Sequence, residues 1–208
     1  SWTSDSKWFY MGNMKRYYKE LSLIFINPTT GSTTTAISEK AKTMIEYQMI
    51  DCEIINNGEK VLWLSERDGW NHIYLYDRQS RELINQATKG KYVVRDIVHV
   101  DQENQQIFFL ASGIEPNRDP YFRYLYKTSF NGGEPILLTP EDADHDISIS
   151  PDKQVFVDNY SRVDMKPKAV LRELATGKKI AYVQESDISK LEATGWRPPV
   201  RFTTLARD

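Results

Sequence analysis

Cysteine is almost absent from this sequence. Cys52 stands alone among 208 residues, so no disulfide can close within the chain, and a zinc site built on several thiolates lacks its ligands. A lone cysteine in a β-rich core reads as a small buried hydrophobe rather than a reactive thiol. Histidine is scarce too. His72, His99 and His145 lie far apart and form neither H-x-x-x-H nor H-E-x-x-H, so the helical zinc motif is excluded. None of the 10 glycines flanks a serine as G-x-S-x-G, which excludes the nucleophile elbow of an α/β-hydrolase within these residues. Strand–helix alternation, the mark of an α/β fold, is also missing. No apolar run approaches the ~18 residues that a membrane-spanning helix needs. Charge of one sign is not in excess: 27 Lys and Arg against 29 Asp and Glu leave a net charge of -2. No basic cluster exceeds two residues, as at Lys178-Lys179, so nothing here would neutralise a phosphate lattice, and no nucleic-acid partner is expected. No signal peptide is recognisable. The chain opens on Ser1-Trp2 inside what reads as a strand, which suggests an excised segment.

What is present is β-forming. The 12 Tyr, 8 Phe and 5 Trp accompany many Val, Ile and Thr, the residues that suit a pleated surface. A polar turn followed by a short apolar run occurs four times: 4–7 into 8–10, 56–60 into 61–64, 102–106 into 107–110, and 150–154 into 155–157. Such a run suits a strand buried on both faces. Another strand precedes three of these turns, at 49–55, 93–100 and 146–150; the first strand of the opening unit reads as cut away. A third strand follows each run, at 21–26, 73–76, 124–128 and 169–174. A turn rich in Gly, Asn and Asp follows, where positive φ is needed. A fourth strand closes each unit, at 33–37, 83–86, 135–138 and 179–183. The period is roughly 45–50 residues, a spacing typical of propeller blades. The fold class expected is therefore all-β: a partial β-propeller of about four four-stranded antiparallel blades over 1–208, with repeats near 1–38, 48–87, 92–139 and 145–184. A β-sandwich also has many short strands, but it would not repeat this order at a fixed period. One short helix is expected over 188–193, capped by Ser186 or Asp187 and ended by Gly195. Residues 185–208 then read as helix and linker.

Several clusters could carry chemistry. Ser65, Glu66, Asp68 and His72 lie within eight residues and could form an acid–base group. The structural reading has Arg67-Asp68-Gly69 as a turn, Glu66 and Arg67 pairing with each other or with neighbours, and His72 opening the next strand. The loop around His145, with Glu141, Asp142, Asp144 and Asp146, is rich in carboxylates but lacks the glycine and spacing of an EF-hand. Tyr121, Phe122, Tyr124 and Tyr126 surround Arg118-Asp119-Pro120. They could line a groove or fill the space between blades with their hydroxyls at the rim. The structural reading is preferred in each case. No catalytic residue, metal ligand or cofactor site is assigned, and substrate-binding residues are left open.

Six segments in order carry a family resemblance: WTSDSKWFY (2–10), SERDGWNHIYLYD (65–77), TKGKYVVRDIVHVD (88–101), FFLASGIEPNRDPYFRYLY (108–126), 138–172 and ESDISKLEATGWRPPVRF (185–202). Together they resemble the N-terminal propeller of bacterial dipeptidyl peptidase IV-type enzymes in the prolyl oligopeptidase family of serine peptidases. That resemblance implies an eight-bladed propeller that restricts access to a catalytic α/β-hydrolase domain, of which 1–208 would be the C-terminal half. The catalytic domain would follow the last segment in the parent chain. Both the catalytic triad and the Glu-rich segment that binds a substrate's α-amino group would lie outside these residues. The expected partners are that hydrolase domain and the parent's peptide substrates, at a periplasmic or secreted location. Half a ring has sticky edges, so the isolated chain is expected to self-associate, as in a two-fold pair. The alternative is a free-standing scaffold that binds a protein or glycan.

Overall fold

A computed structural model of the chain describes residues 1–46, 51–200 and 202–207. Its strands are β1 Phe9–Met14, β2 Glu20–Ile26, β3 Thr33–Lys40, β4 Cys52–Ile55, β5 Lys60–Ser65, β6 His72–Asp77, β7 Leu83–Gln86, β8 Val93–Asp101, β9 Gln106–Ser112, β10 Tyr124–Ser129, β11 Ile136–Leu137, β12 Asp144–Ile149, β13 Val155–Arg162, β14 Met165–Glu173 and β15 Lys179–Glu185. One helix, α1 Ser189–Glu192, follows them. The strands form four antiparallel meanders in chain order, the first of three strands and the others of four. The all-β reading therefore holds. Of the strand expected over 49–55, residues 49 and 50 lie outside the described residues, and β4 begins at Cys52.

The central strands of the second meander and β9 of the third are the most deeply buried. Val61 to Ser65 of β5, His72 to Tyr76 of β6 and Ile107 to Ser112 of β9 are all shielded from solvent. Strand β2 instead alternates, with Leu21, Leu23 and Phe25 inward. Two compact units result: 1–121 with 125–137, and 122–124 with 138–208. In the first, Leu23 and Phe25 of the first meander pack in one cluster with Val61, Trp63 and Tyr74 of the second. Trp8, Tyr10 and Cys52 lie against that cluster. Burial of Cys52, followed by the neighbouring Asp51 and Glu53, pushes its thiol up to about 12. It packs as a hydrophobe. In the second unit Ala143, Tyr160 and Val170 form a smaller core with Met165 beside it.

Several boundaries differ from the sequence reading, and two of them have a local cause. Strand β14 starts at Met165 rather than 169, although it contains Pro167. The register with β13 slips between Tyr160 and Arg162, so the missing proline N–H falls at an irregularity. Helix α1 is shorter than expected. The Ser189 N–H donates to the Asp187 carboxylate at 2.9 Å, while the Ser186 N–H is held by the Pro167 carbonyl. Gly195, at φ +83°, closes the turn through its N–H to Glu192.

Gly31 and Gly177 form a controlled pair, since both have φ +71°. A methyl group at Gly31 meets nothing within 4 Å, whereas at Gly177 it runs into the backbone of Leu138, its carbonyl oxygen first. Gly31→Ala should therefore cost only the left-handed strain, about 1–2 kcal/mol. Gly177→Ala adds overpacking against backbone and should cost about 3–5 kcal/mol. Urea unfolding, resolved for each unit by hydrogen exchange, measures both.

Candidate functional site

The turn between β5 and β6 borders a cavity of about 510 Å³ in the first unit. Leu21, Ile45 and Leu64 supply its apolar wall, and Glu39, Glu66 and Arg67 its charged one. The turn is built locally. The Gly69 N–H donates to the Glu66 carbonyl, Gly69 takes φ +95°, and Asp68 accepts from the Trp70 N–H at 3.1 Å.

Glu39, at the end of β3, organises the wall. Its carboxylate accepts from Trp63 Nε1 at 2.9 Å, Ser65 Oγ at 2.7 Å and Arg67 Nη2 at 3.0 Å. Arg67 lies 4.4 Å from the Tyr74 ring centroid and donates to the Tyr76 hydroxyl. Glu66 shares the lining with Lys40 and Lys42, and among the described residues it forms no ion pair. Desolvation, then Glu46 and Glu39, push its carboxyl above the ordinary value.

The four residues that looked like an acid–base group do not act on one another. Ser65 and His72 face each other across the β5–β6 ladder, yet both are engaged elsewhere. Ser65 is buried and donates to Glu39, a carboxylate already shared by Trp63 and Arg67. His72 is wholly buried, with Nδ1 3.1 Å from Thr88 Oγ1 and Nε2 3.0 Å from the Gly90 carbonyl. The second oxygen of Asp68 takes a hydrogen bond from Gln86 at 2.9 Å. A nucleophile needs both an exposed oxygen and a free base, and this arrangement provides neither. It is an inter-strand lock beside a cavity.

The carboxylate loop of the second unit is likewise spoken for by cations. Asp144 pairs with Arg123 at 2.7 Å and Asp142 with Arg162 at 3.0 Å. Among the described residues, no group of three His, Cys, Asp or Glu is placed to hold a metal ion. Tyr121 is exposed, while Tyr124 and Tyr126 are buried. The Tyr126 hydroxyl donates to Glu115 at 2.9 Å and that of Tyr124 to Asp142 at 3.2 Å. His99 stacks on Phe108, with centroids 5.6 Å apart.

The model of the dipeptidyl peptidase IV (DPP IV) N-terminal region matches residues 1–167. The chain belongs to that family. A curated relative from Emericella nidulans, "Probable dipeptidyl peptidase 4", is 27% identical over 100 residues, 47% of this chain and 12% of its own length. The Porphyromonas gingivalis dipeptidyl peptidase 4 structure superposes with a TM-score of 0.76 at 17% identity, covering 92% of this chain and 26% of that one. A Bacteroides ovatus protein assigned as a dipeptidyl aminopeptidase IV gives 0.73 at 20% identity, covering 90% and 29%. The fold is thus that of a propeller segment, and the chain spans under a third of the length of these solved relatives.

Sequence reasoning missed Glu39, which lies two residues beyond the expected end of its strand and 24–28 residues from the groups it binds. Glu39→Gln would turn an amide NH₂ toward one of three donors and should cost about 2 kcal/mol, read as a lower urea midpoint with Trp63 fluorescence as the probe. In the second unit, burial alone would push the Asp144 carboxyl up, but the hydrogen bonds from Arg123 outweigh it and hold it below the ordinary value. A depressed carboxyl stabilises the fold above its unfolded-state value, and that contribution is lost as pH falls through the folded one. Asp144→Asn should therefore be less stable than the parent at pH 6 by about 1 kcal/mol or less, since both partners are partly exposed. The gap should close as pH falls below about 4, in matched denaturation series.

Proposed function

We propose that this chain is the non-catalytic propeller segment of a dipeptidyl peptidase IV-like serine exopeptidase. It gates the access of peptide substrates and docks on an α/β-hydrolase domain carried elsewhere in the same polypeptide. The observation that carries this reading is the family match over 1–167. Two further features support it. The sequence holds no G-x-S-x-G, and the one serine–histidine pair that resembles a catalytic couple is buried and satisfied by other partners. The assembly belongs outside the cytoplasm, in the periplasm or secreted, as its relatives' class suggests. Among the described residues no helix is long and apolar enough to cross a membrane.

The parent protein should hydrolyse an Xaa-Pro dipeptide amide and lose that activity to a serine-directed fluorophosphonate. The purified 208-residue chain should show no turnover and no covalent labelling. Turnover that copurifies with the 208-residue chain would refute the gating role, and an inactive, unlabelled parent would refute the peptidase assignment.

A further inference from the structure

The second unit holds a buried histidine with an acceptor oxygen beside each ring nitrogen. His145 and Asp158 are fully buried, and the Arg172 side chain is 3% exposed. His145 Nδ1 lies 2.7 Å from Asp158 Oδ1, and Nε2 lies 2.9 Å from the Glu141 carbonyl oxygen. A backbone carbonyl only accepts, and so does an ionised carboxylate. The second oxygen of Asp158 accepts a charge-assisted hydrogen bond from Arg172 Nε at 2.9 Å, the contact a carboxylate makes. A neutral imidazole has one N–H, whereas two are needed.

His72 is the internal contrast. The Thr88 hydroxyl oxygen accepts from the Ile73 N–H at 2.9 Å, which frees its own hydrogen for His72 Nδ1. Nε2–H then donates to the Gly90 carbonyl. One ring proton satisfies every partner there, and in this the two equally buried histidines differ.

We propose that His145 is a buried imidazolium, the fourth charge of a closed quartet that clasps the loop 138–143 onto β13 and β14 and releases it when the ring proton is lost. Arg172 also donates to the Glu141 carboxylate, so two cations face two anions. Glu141 is held twice, by its carbonyl and by its carboxylate. Arg172 Nη1 reaches the Gly177 carbonyl at 3.1 Å, which ties in the turn after β14. The remaining neighbours leave the charge count unchanged. The Tyr124 and Tyr160 rings lie 5.3 Å and 5.4 Å from the imidazole. Burial, then Glu141, pushes the Tyr160 hydroxyl up to about 12, so it stays neutral. Asp144 is paired with Arg123, and Asp142 with Arg162. Without the second proton, either Asp158 or the Glu141 carbonyl faces a bare ring nitrogen in a dry site, and that contact is costly.

The test is ring-nitrogen NMR on the ¹⁵N-histidine-labelled 208-residue chain. At neutral pH, His145 should show both ring nitrogens protonated, with two N–H protons, and His72 only the Nε2 proton. A single-tautomer neutral His145 would overturn the assignment. On raising the pH, the backbone amides of Ala143 and His145 should lose protection in the same step in which the ring loses its proton. Protection that persists through that step would overturn the clasp.

Discussion

Burial on both faces of the middle strands is the constraint from which the rest follows. Val61–Leu64, Ile73–Tyr76 and Ile107–Ala111 present large side chains to both sides of their sheets. A meander standing alone would leave one of those faces wet, at about 1.5–3 kcal/mol for each large side chain. In the first unit the first two meanders remove that cost by sharing one cluster around Phe25 and Trp63. Stacking then forces the polar ends of the strands together. Asn71 exchanges hydrogen bonds with Val94, its N–H₂ donating to the carbonyl at 2.8 Å and its own carbonyl accepting at 2.9 Å. His72 reaches across to Thr88 and Gly90 in the same way.

Arginine closes these junctions repeatedly. Arg78 lies 4.4 Å from the Trp8 ring and 5.2 Å from the Phe25 ring, and it donates to the Gly58 carbonyl. Arg67 couples Glu39 to Tyr74 and Tyr76. Arg172 joins Asp158, Glu141 and Gly177. A planar fork can stack on a ring with its face while it donates from its edge. Lysine could not serve both demands at once, which explains why the same residue recurs where aromatic and carbonyl surfaces meet.

The repeat was legible because each of its parts is local. An apolar run signals a buried strand, and a nearby Asn or Gly signals the turn that reverses it; Asn57 at φ 52° and Gly58 at φ 92° are such a pair. The polar junctions were not legible, because they join residues with no local relation. Nothing near Glu39 announces that it will collect Trp63, Ser65 and Arg67. Nothing in the Asp142–Asp146 loop shows that Arg123 and Arg162, about 20 residues away on either side, will neutralise it. The early start of β14 was hidden for a different reason: Pro167 disfavours a strand, and a register slip between β13 and β14 accommodates it.

The Ser65–His72 stretch shows why composition alone misleads about chemistry. Catalysis needs a polar group held short of satisfaction and open to a substrate. Folding a stacked sheet demands the opposite, that every buried donor and acceptor be paired. Serine, aspartate and histidine in eight residues meet either demand equally well on paper. Their partners decide between the two. Ser65 is bound to Glu39, Asp68 to its own turn and Gln86, and His72 to Thr88 and Gly90. The Ser65–Glu39 bond makes the junction between the first two meanders more rigid, and every one of these bonds removes a group from reaction.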